Sequence, residues 1–491
     1  MTKRRSVPAL TAGALNVGVG LSVALLWSAP AGIRAQLAFD TVAVDAVFAD
    51  FDTPRTPGCA LGIVSDGRLV YGRGYGLANL EHGIPITTGS VFRSGSVSKQ
   101  FTGAVVAIAA MDGHLSLEDE LRTWVPEIPD YGGRLTLLHA LNHTSGLRDY
   151  LTLMSLRGLR SDDFYSEVEL IARQAAQQEL NFDPGSEYLY SNSGYFLLTE
   201  VVSRAVGMSF REYADEVLFR PLGMSNSHFH DDHDHIVPGR ADGYAPLRDG
   251  GFRTSMTTLD MVGDGGVYTS VEDMARWLTA QERDDLRDGL NAIVQSPGVL
   301  SSGEEIPYAL GLTHDSYRGL PTIGHGGSFV GFRAHTLRFP TEGIGFVTLC
   351  NRADGDPGTR TRRVADVVLA HRLGTVSEQT AARERERSGR PAQNPANAEA
   401  YVGTYYSPEL DVEYHIERSN GELRVRAGAA IDDMLYQISG DTLATGALLT
   451  NNRIDPGLVL RFQRDESMIT GFELDAGRVV HLRFRRVSGE R

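Results

Sequence analysis

The stretch Phe92-Arg93-Ser94-Gly95-Ser96-Val97-Ser98-Lys99-Gln100-Phe101 runs on through Thr102–Met111 and closes at Asp112-Gly113. Its apolar positions Phe101, Val105, Val106 and Ile108, ended by a turn pair, predict a buried helix over Ser96–Met111. Residues i and i+3 share one face of a helix, so the Ser96 hydroxyl and the Lys99 amine can meet. A serine in the first turn also turns free backbone N–H groups toward any negative charge that forms beside it.

The chain holds 47 lysines plus arginines, and only Lys3 and Lys99 are lysine. Arginine keeps its proton in a protein, whereas a buried lysine can fall several pKa units and serve as a base. A lone lysine three residues after a serine therefore points to nucleophilic catalysis, the amine taking the hydroxyl proton. A Ser-x-x-Lys spacing alone is common and more often marks a capping serine beside a surface lysine. The scarcity of lysine and the apolar neighbours favour catalysis.

On either side of this segment, Gly58–Ser65 and Arg68–Leu77 read as two strands joined by Asp66-Gly67, a hairpin signal. Tyr195–Val206 and Phe210–Leu218 read as helices, separated by Gly207 and ended before Pro221. Ile344–Cys350 is an apolar run of strand length. Gly374–Ala398 is rich in Arg, Glu, Ala, Gln and Pro and reads as a linker. Beyond Tyr401 come Glu422–Arg426, Leu458–Phe462, Ile469–Leu474 and Val479–Phe484, strand after strand without a helix, which predicts a small antiparallel barrel or sandwich. The expected organisation is a signal segment at 1–35, a catalytic domain at 36–373, a linker at 374–398 and an all-β domain at 399–491.

At 491 residues the chain is long enough for a sizeable core, and its 42% apolar and 22% charged content is that of a soluble globular protein. A net charge of -15 without a basic stripe argues against nucleic acid. Lys3, Arg4 and Arg5, the apolar and small residues of Leu10–Trp27, and the small-residue sites at Ala29-Pro30-Ala31 and Ile33-Arg34-Ala35 read as a secretory signal. Asn16 and the small breakers around it make a weak span, so no stable membrane segment is expected after cleavage, and a periplasmic or extracellular location is. Export permits a disulfide between Cys59 and Cys350, although taken by themselves they read slightly sooner as two buried small hydrophobes. His228, His230, His233 and His235, interleaved with Asp231, Asp232 and Asp234, match no fixed ligand spacing and read as a solvated loop. No metal and no cofactor is expected. Gly-x-Ser-x-Gly, His-Glu-x-x-His, a phosphate-cradling glycine loop and a dinucleotide fingerprint are all missing.

Phe92–Phe101 resembles the active-site segment of the penicillin-recognising serine hydrolases, in the class C beta-lactamase-like branch with D-alanyl-D-alanine carboxypeptidases and D-aminopeptidases. The resemblance continues at Asn142-His143-Thr144-Ser145-Gly146-Leu147, at Asp183-Pro184-Gly185, Tyr190-Ser191-Asn192 and Pro221-Leu222-Gly223-Met224, at Gly265-Gly266-Val267-Tyr268-Thr269-Ser270, and at His325-Gly326-Gly327. It covers nearly all of Gln36–Leu373. The fold it implies is α+β: an antiparallel sheet flanked by helices, with a helical lobe and the site between them. The C-terminal segment resembles the lipocalin-like barrel appended to some D-aminopeptidase-like relatives. The first and last sheet strands lie side by side in such a fold, so Cys59 and Cys350 are expected to approach each other.

The resemblance also implies roles. Ser96 is the nucleophile, Lys99 accepts or relays its proton, and Tyr190 is the general base. Asn192 holds Lys99 and contacts the substrate amide. The N–H groups of Ser96 and Ser328 form the oxyanion hole. His325, Gly326, Gly327 and Ser328 offer a strand edge along which a substrate backbone lies. Without the resemblance, Tyr190 reads as a core aromatic and Asn192 as a turn residue. Beta-lactamases carry lysine where this chain has His325, a side chain mostly uncharged at neutral pH, which weakens attraction for a substrate carboxylate. The implied activity is hydrolysis of small-molecule or peptide amides or esters through a Ser96 acyl-enzyme, D-amino-acid-containing peptides first. The alternatives are a carboxylesterase or weak beta-lactamase, and a non-catalytic sensor of peptidoglycan or penicillins. A sensor would be expected to lack Lys99, Tyr190 or Asn192, and none is missing.

Overall fold

Asp66 and Gly67 both take positive φ, 51° and 70°, the backbone of a two-residue hairpin turn. They join β1 (Cys59–Ser65) to β2 (Arg68–Tyr75) in the computed structural model of the protein, which describes residues 38–487 apart from 161–162, 375–389, 392–393, 396, 447, 450–452 and 455–456. The expected signal segment and most of the expected linker lie outside the described residues. Five later strands complete the sheet: β3 (Tyr308–Ala309), β4 (Leu312–Tyr317), β5 (Leu320–Phe329), β6 (Phe332–Phe339) and β7 (Ile344–Cys350). The order is β3-β4-β5-β6-β7-β1-β2, antiparallel throughout.

Four helices position the site: α1 (Lys99–Met111), α2 (Asn192–Val206), α3 (Val271–Arg283) and α4 (Pro357–Val368). On one face of β7, Gly345 meets Leu278 of α3; on the other, Thr348 bonds Thr361 of α4 at 2.8 Å. A strand covered on both sides needs apolar or small residues at every position, and Ile344–Cys350 is buried throughout. The helical lobe is built around α1, whose residues from Lys99 to Ala109 are all buried and whose Phe101, Val105 and Ile108 share a core with Leu197 and Val201 of α2.

Helix boundaries differ from the sequence expectation for local reasons. The first turn of the helix expected over Ser96–Met111 is a tighter 3-10 turn, Gly95–Ser98, with α geometry starting at Lys99. α2 begins at Asn192 rather than Tyr195, because the Ser191 side chain accepts from Ser193 N and caps the polar turn before the apolar run. Phe210–Leu218 splits into an α turn, Phe210–Ala214, and a wider π turn, Asp215–Phe219.

Cys59 faces Cys350 in the β1–β7 register, their Cα atoms 4.0 Å apart, and the two form a disulfide. The bond closes a segment with a sequence separation of 291. Loop closure on this scale restricts the unfolded chain, and the Cys59→Ser, Cys350→Ser pair is expected to lose about 2–4 kcal/mol. Denaturant unfolding of the oxidised wild type against the pair checks this; equal midpoints would contradict it.

After residue 402 the chain forms a closed eight-stranded antiparallel barrel from Gly403–Ser407, Val412–Ser419, Glu422–Ala427, Ile431–Ser439, Thr442–Ala444, Val459–Asp465, Met468–Ala476 and Val479–Val487. Closure comes from pairing the first of these strands with the last. Inward alternation along the strands fills the interior with Tyr405, Tyr414, Phe462, Phe472 and Phe484. Leu153 and Leu156, from the short helix Tyr150–Leu156, join the same core, and the Tyr414 hydroxyl donates to the Leu156 carbonyl at 2.8 Å. Side chains fill this barrel. No helix among the described residues is long and apolar enough to cross a membrane.

Candidate active site

The turn that carries Ser96 presses against the edge of β5. Gly95 takes φ +54°, and a Cβ there would sit 2.7 Å from Ser328 N. A Cβ on Gly327 would sit 2.0 Å from the Ser94 carbonyl oxygen and 3.2 Å from Ser96 N. Only glycine allows so close an approach, and it brings the backbones of Ser96 and Ser328 to one cavity of about 470 Å³. The cavity is also lined by Tyr190, Asn192, Asp264 and His325.

A 3-10 turn eclipses positions i and i+3, so Lys99 follows directly behind Ser96. Its side chain is fully buried, and Nζ donates to Asn192 Oδ1 at 2.7 Å and to the Asp264 carbonyl oxygen at 2.6 Å. The amine also sits over the rings of Tyr190 and Tyr195, at 4.8 and 5.3 Å. Burial pulls its pKa down to about 8, against the opposing charges of Asp264 and Asp149. Such an amine exchanges its proton near neutrality.

Asn192 is held at both ends. Its Oδ1 takes the lysine, while its Nδ2 and its backbone N–H both donate to Asp149 Oδ2 at 2.7 Å. Asp149 is fully buried, and its other oxygen accepts from Thr152 N and Oγ1. Four hydrogen bonds thus fix a carboxylate behind the lysine's partner.

Tyr190 sits in the loop before the Ser191 cap. Its hydroxyl oxygen is buried, and among the described residues it has no well-aligned hydrogen-bond partner. Burial raises its pKa above the ordinary phenol value, although the nearby Ser96 hydroxyl and the Arg478 charge act in the opposite direction. His143, with φ +58°, packs its ring 4.1 Å from that of Tyr190 and accepts from Ser191 N at 3.2 Å. Burial holds His143 well below its usual pKa. The segment Asn142–Leu147 therefore seats the tyrosine.

His325 is buried on β5. Its Nδ1 contacts the Gly326 carbonyl at 2.6 Å and its Nε2 the Tyr308 hydroxyl at 3.1 Å. The carbonyl only accepts, so Nδ1 carries the proton and Nε2 accepts from Tyr308. Burial, then the Lys99 charge, pulls its pKa down to about 4, so this imidazole is neutral at neutral pH.

Several side chains of the cavity were given no role by the sequence. Asp264 stands one residue before Gly265-Gly266 and accepts from the Tyr150 hydroxyl at 3.0 Å; burial raises its pKa. Arg93 is buried, and its guanidinium lies 5.2 Å from the Phe329 ring. Arg478 arrives from the barrel.

The histidine tract corrects the expectation of a solvated loop. His228–Phe229 pairs with Val267–Thr269, His230 is buried, and the two imidazoles contact each other at 3.0 Å (Nε2 to Nδ1) beside the Tyr268 ring. Pairing and an aromatic neighbour draw the start of the tract inward. Among the described residues no group of three or more His, Cys, Asp or Glu side chains is arranged to hold a metal ion.

The site thus gathers a hydroxyl at a glycine-lined strand edge, a buried amine at the next turn position and a buried phenol, the side-chain types that nucleophilic catalysis uses. The chain is 28% identical over 397 residues to a D-aminopeptidase of Gluconobacter oxydans, covering 80% of this chain and 71% of that protein. It is 27% identical over 423 residues to a D-aminopeptidase of Cereibacter sphaeroides, covering 83% and 76%. Among solved structures, the octameric penicillin-binding protein homologue from Pyrococcus abyssi superposes with a TM-score of 0.61 at 22% identity, over 91% of this chain and 99% of that one. The D-amino acid amidase from Ochrobactrum anthropi SV3, complexed with L-phenylalanine amide, gives 0.57 at 18%, over 68% and 99%. The beta-lactamase family model matches residues 44–370, and the chain belongs to that family of serine hydrolases.

Proposed function

We propose that the protein cleaves amides or esters through an acyl-enzyme on Ser96, with D-amino-acid-containing peptides as its preferred substrates. The buried Lys99 amine, held by Asn192 and the Asp264 carbonyl beside the Ser96 turn, carries this reading. Ser96 Oγ attacks the substrate carbonyl carbon while its proton passes to the Lys99 amine, directly or by way of the Tyr190 hydroxyl. The carbonyl oxygen becomes an oxyanion that the N–H groups of Ser96 and Ser328 receive. The bond to the leaving nitrogen or oxygen breaks, that atom takes the proton, and water then releases the acid by the same steps in reverse order of groups. The D-aminopeptidase relatives support the D-amino-acid preference. Turnover of matched D- and L-alanyl 4-nitroanilides tests it: faster cleavage of the D form is expected, and equal rates would remove it. The neutral His325 leaves the third motif without the cation that would attract a penicillin's carboxylate. The Cys59–Cys350 bond supports action outside the cytoplasm.

The order of the two pKa values supports Lys99 as the base. The phenol of Tyr190 is raised by burial and stays protonated at neutral pH, whereas Lys99 titrates at about 8. An amine acts as base only after losing its proton, so kcat/KM for an uncharged anilide is expected to rise with pH and level off above about 8. A profile that falls through the same midpoint would show that the charged amine is required, and would exclude Lys99 as the base. The pH profile of kcat/KM decides.

A further inference from the structure

We infer that the C-terminal barrel contributes the specificity-determining residue of the active site: Arg478, which binds a carboxylate on the substrate. Gly477-Arg478 is the two-residue turn between the last two barrel strands, Met468–Ala476 and Val479–Val487. This turn reaches the catalytic cavity, and Arg478 lines it together with Ser96, Tyr190 and His325.

The turn is fixed to the helical lobe. Asn181 Nδ2 donates to the Arg478 carbonyl at 3.0 Å and Asn181 Oδ1 accepts from Val480 N at 2.9 Å. Arg148 donates to the His481 carbonyl at 3.2 Å. The side chain is placed as well, its guanidinium carbon 4.4 Å from the centre of the Tyr190 ring. The nearest carboxylate oxygen, Asp149 Oδ2, is 3.7 Å away, beyond hydrogen-bond range, and it already accepts twice from Asn192. The guanidinium donors therefore have no hydrogen-bond acceptor among the described residues, and the side chain is 43% exposed toward the cleft and solvent. A planar fork with free donors, held against an aromatic face beside a nucleophile, matches a carboxylate in two parallel hydrogen bonds.

The other charges of the cleft leave this task to Arg478. Lys99 and Arg93 are buried, Asp149 and Asp264 are bonded within the protein, and His325 is neutral. The cation missing from the third motif is thus supplied by the barrel turn.

This rests on the hydrolase reading above, and the test separates the two. The full-length enzyme is assayed on two substrate pairs: N-acetyl-D-alanyl-D-alanine with its C-terminal amide, and 4-acetoxybenzoate with its methyl ester. The acid-to-neutral ratio of kcat/KM in wild type is expected to fall about tenfold or more in Arg478→Gln, through KM, with Arg478→Lys in between. Arg478→Glu is expected to favour the neutral partner. Dividing by the neutral substrate cancels any effect of the substitution on the phenol or on folding. A ratio unchanged by Arg478→Gln, or a wild type that favours the neutral partners, overturns the inference. Should neither peptide turn over while the ester pair keeps its Arg478-dependent preference, the D-peptide reading falls and the role of Arg478 stands.

Discussion

Replacing Ser96 with alanine is expected to lower kcat toward an activated ester or a D-alanyl anilide by about 10⁴-fold or more, and adding Lys99→Met to that variant is expected to cost little further. In the proposed mechanism the two groups act as a unit. Without the hydroxyl the amine has no proton to accept, and without the amine the hydroxyl is an unactivated alcohol. Single and double variants should therefore converge on one residual rate, supplied by the strand edge and the two backbone donors. Lys99→Met fills a similar volume in a fully buried position. It leaves Asn192 Oδ1 and the Asp264 carbonyl without their donor, at about 1–3 kcal/mol each, and relieves a desolvated amine, so the variant should still fold. Single-turnover rates and intact mass after exposure to the ester check the prediction. Losses that multiply across the double variant, or an acyl adduct on the Ser96→Ala protein, would show that the chemistry runs elsewhere.

The pair stood out because composition isolates it: apart from Lys3, a chain that uses arginine for every other such cation carries lysine at position 99, and the structure buries it. The strand Ile344–Cys350 was legible to the residue, since cover on both faces imposes an unbroken apolar run. Boundaries failed where polar residues begin an element. Asn192, read alone as a turn residue, opens α2 behind its Ser191 cap, and the barrel strands extend past their apolar centres, as Leu458–Phe462 against Val459–Asp465 illustrates. The supports of the site were not legible. Asp149 looks like any loop acid until four donors are seen to converge on it, and Arg478 looks like a turn residue of another module. Such roles follow from tertiary contact, which local sequence does not encode.

The joint between barrel and helical lobe is also where stability and activity meet. Arg148 and Glu409 form a salt bridge at 2.5 Å with side chains 0% and 4% exposed, and Glu409 also accepts from Gln178 N at 2.8 Å. Arg148 precedes Asp149, which braces Asn192, and it donates to the His481 carbonyl three residues beyond Arg478. Glu409→Leu strands a buried guanidinium and is expected to lose about 3–5 kcal/mol, because the remaining charge keeps its desolvation cost without its partner. Arg148→Met combined with Glu409→Leu removes that charge and should recover most of the loss, which is the signature of a buried pair rather than of a damaged core. Thermal unfolding of the three variants reads the energies. Because the same arginine steadies the Arg478 turn, the double variant should regain stability while keeping a raised KM for carboxylate substrates. A double variant as unstable as Glu409→Leu would mean that packing around residue 409, and not the unpaired charge, sets the cost.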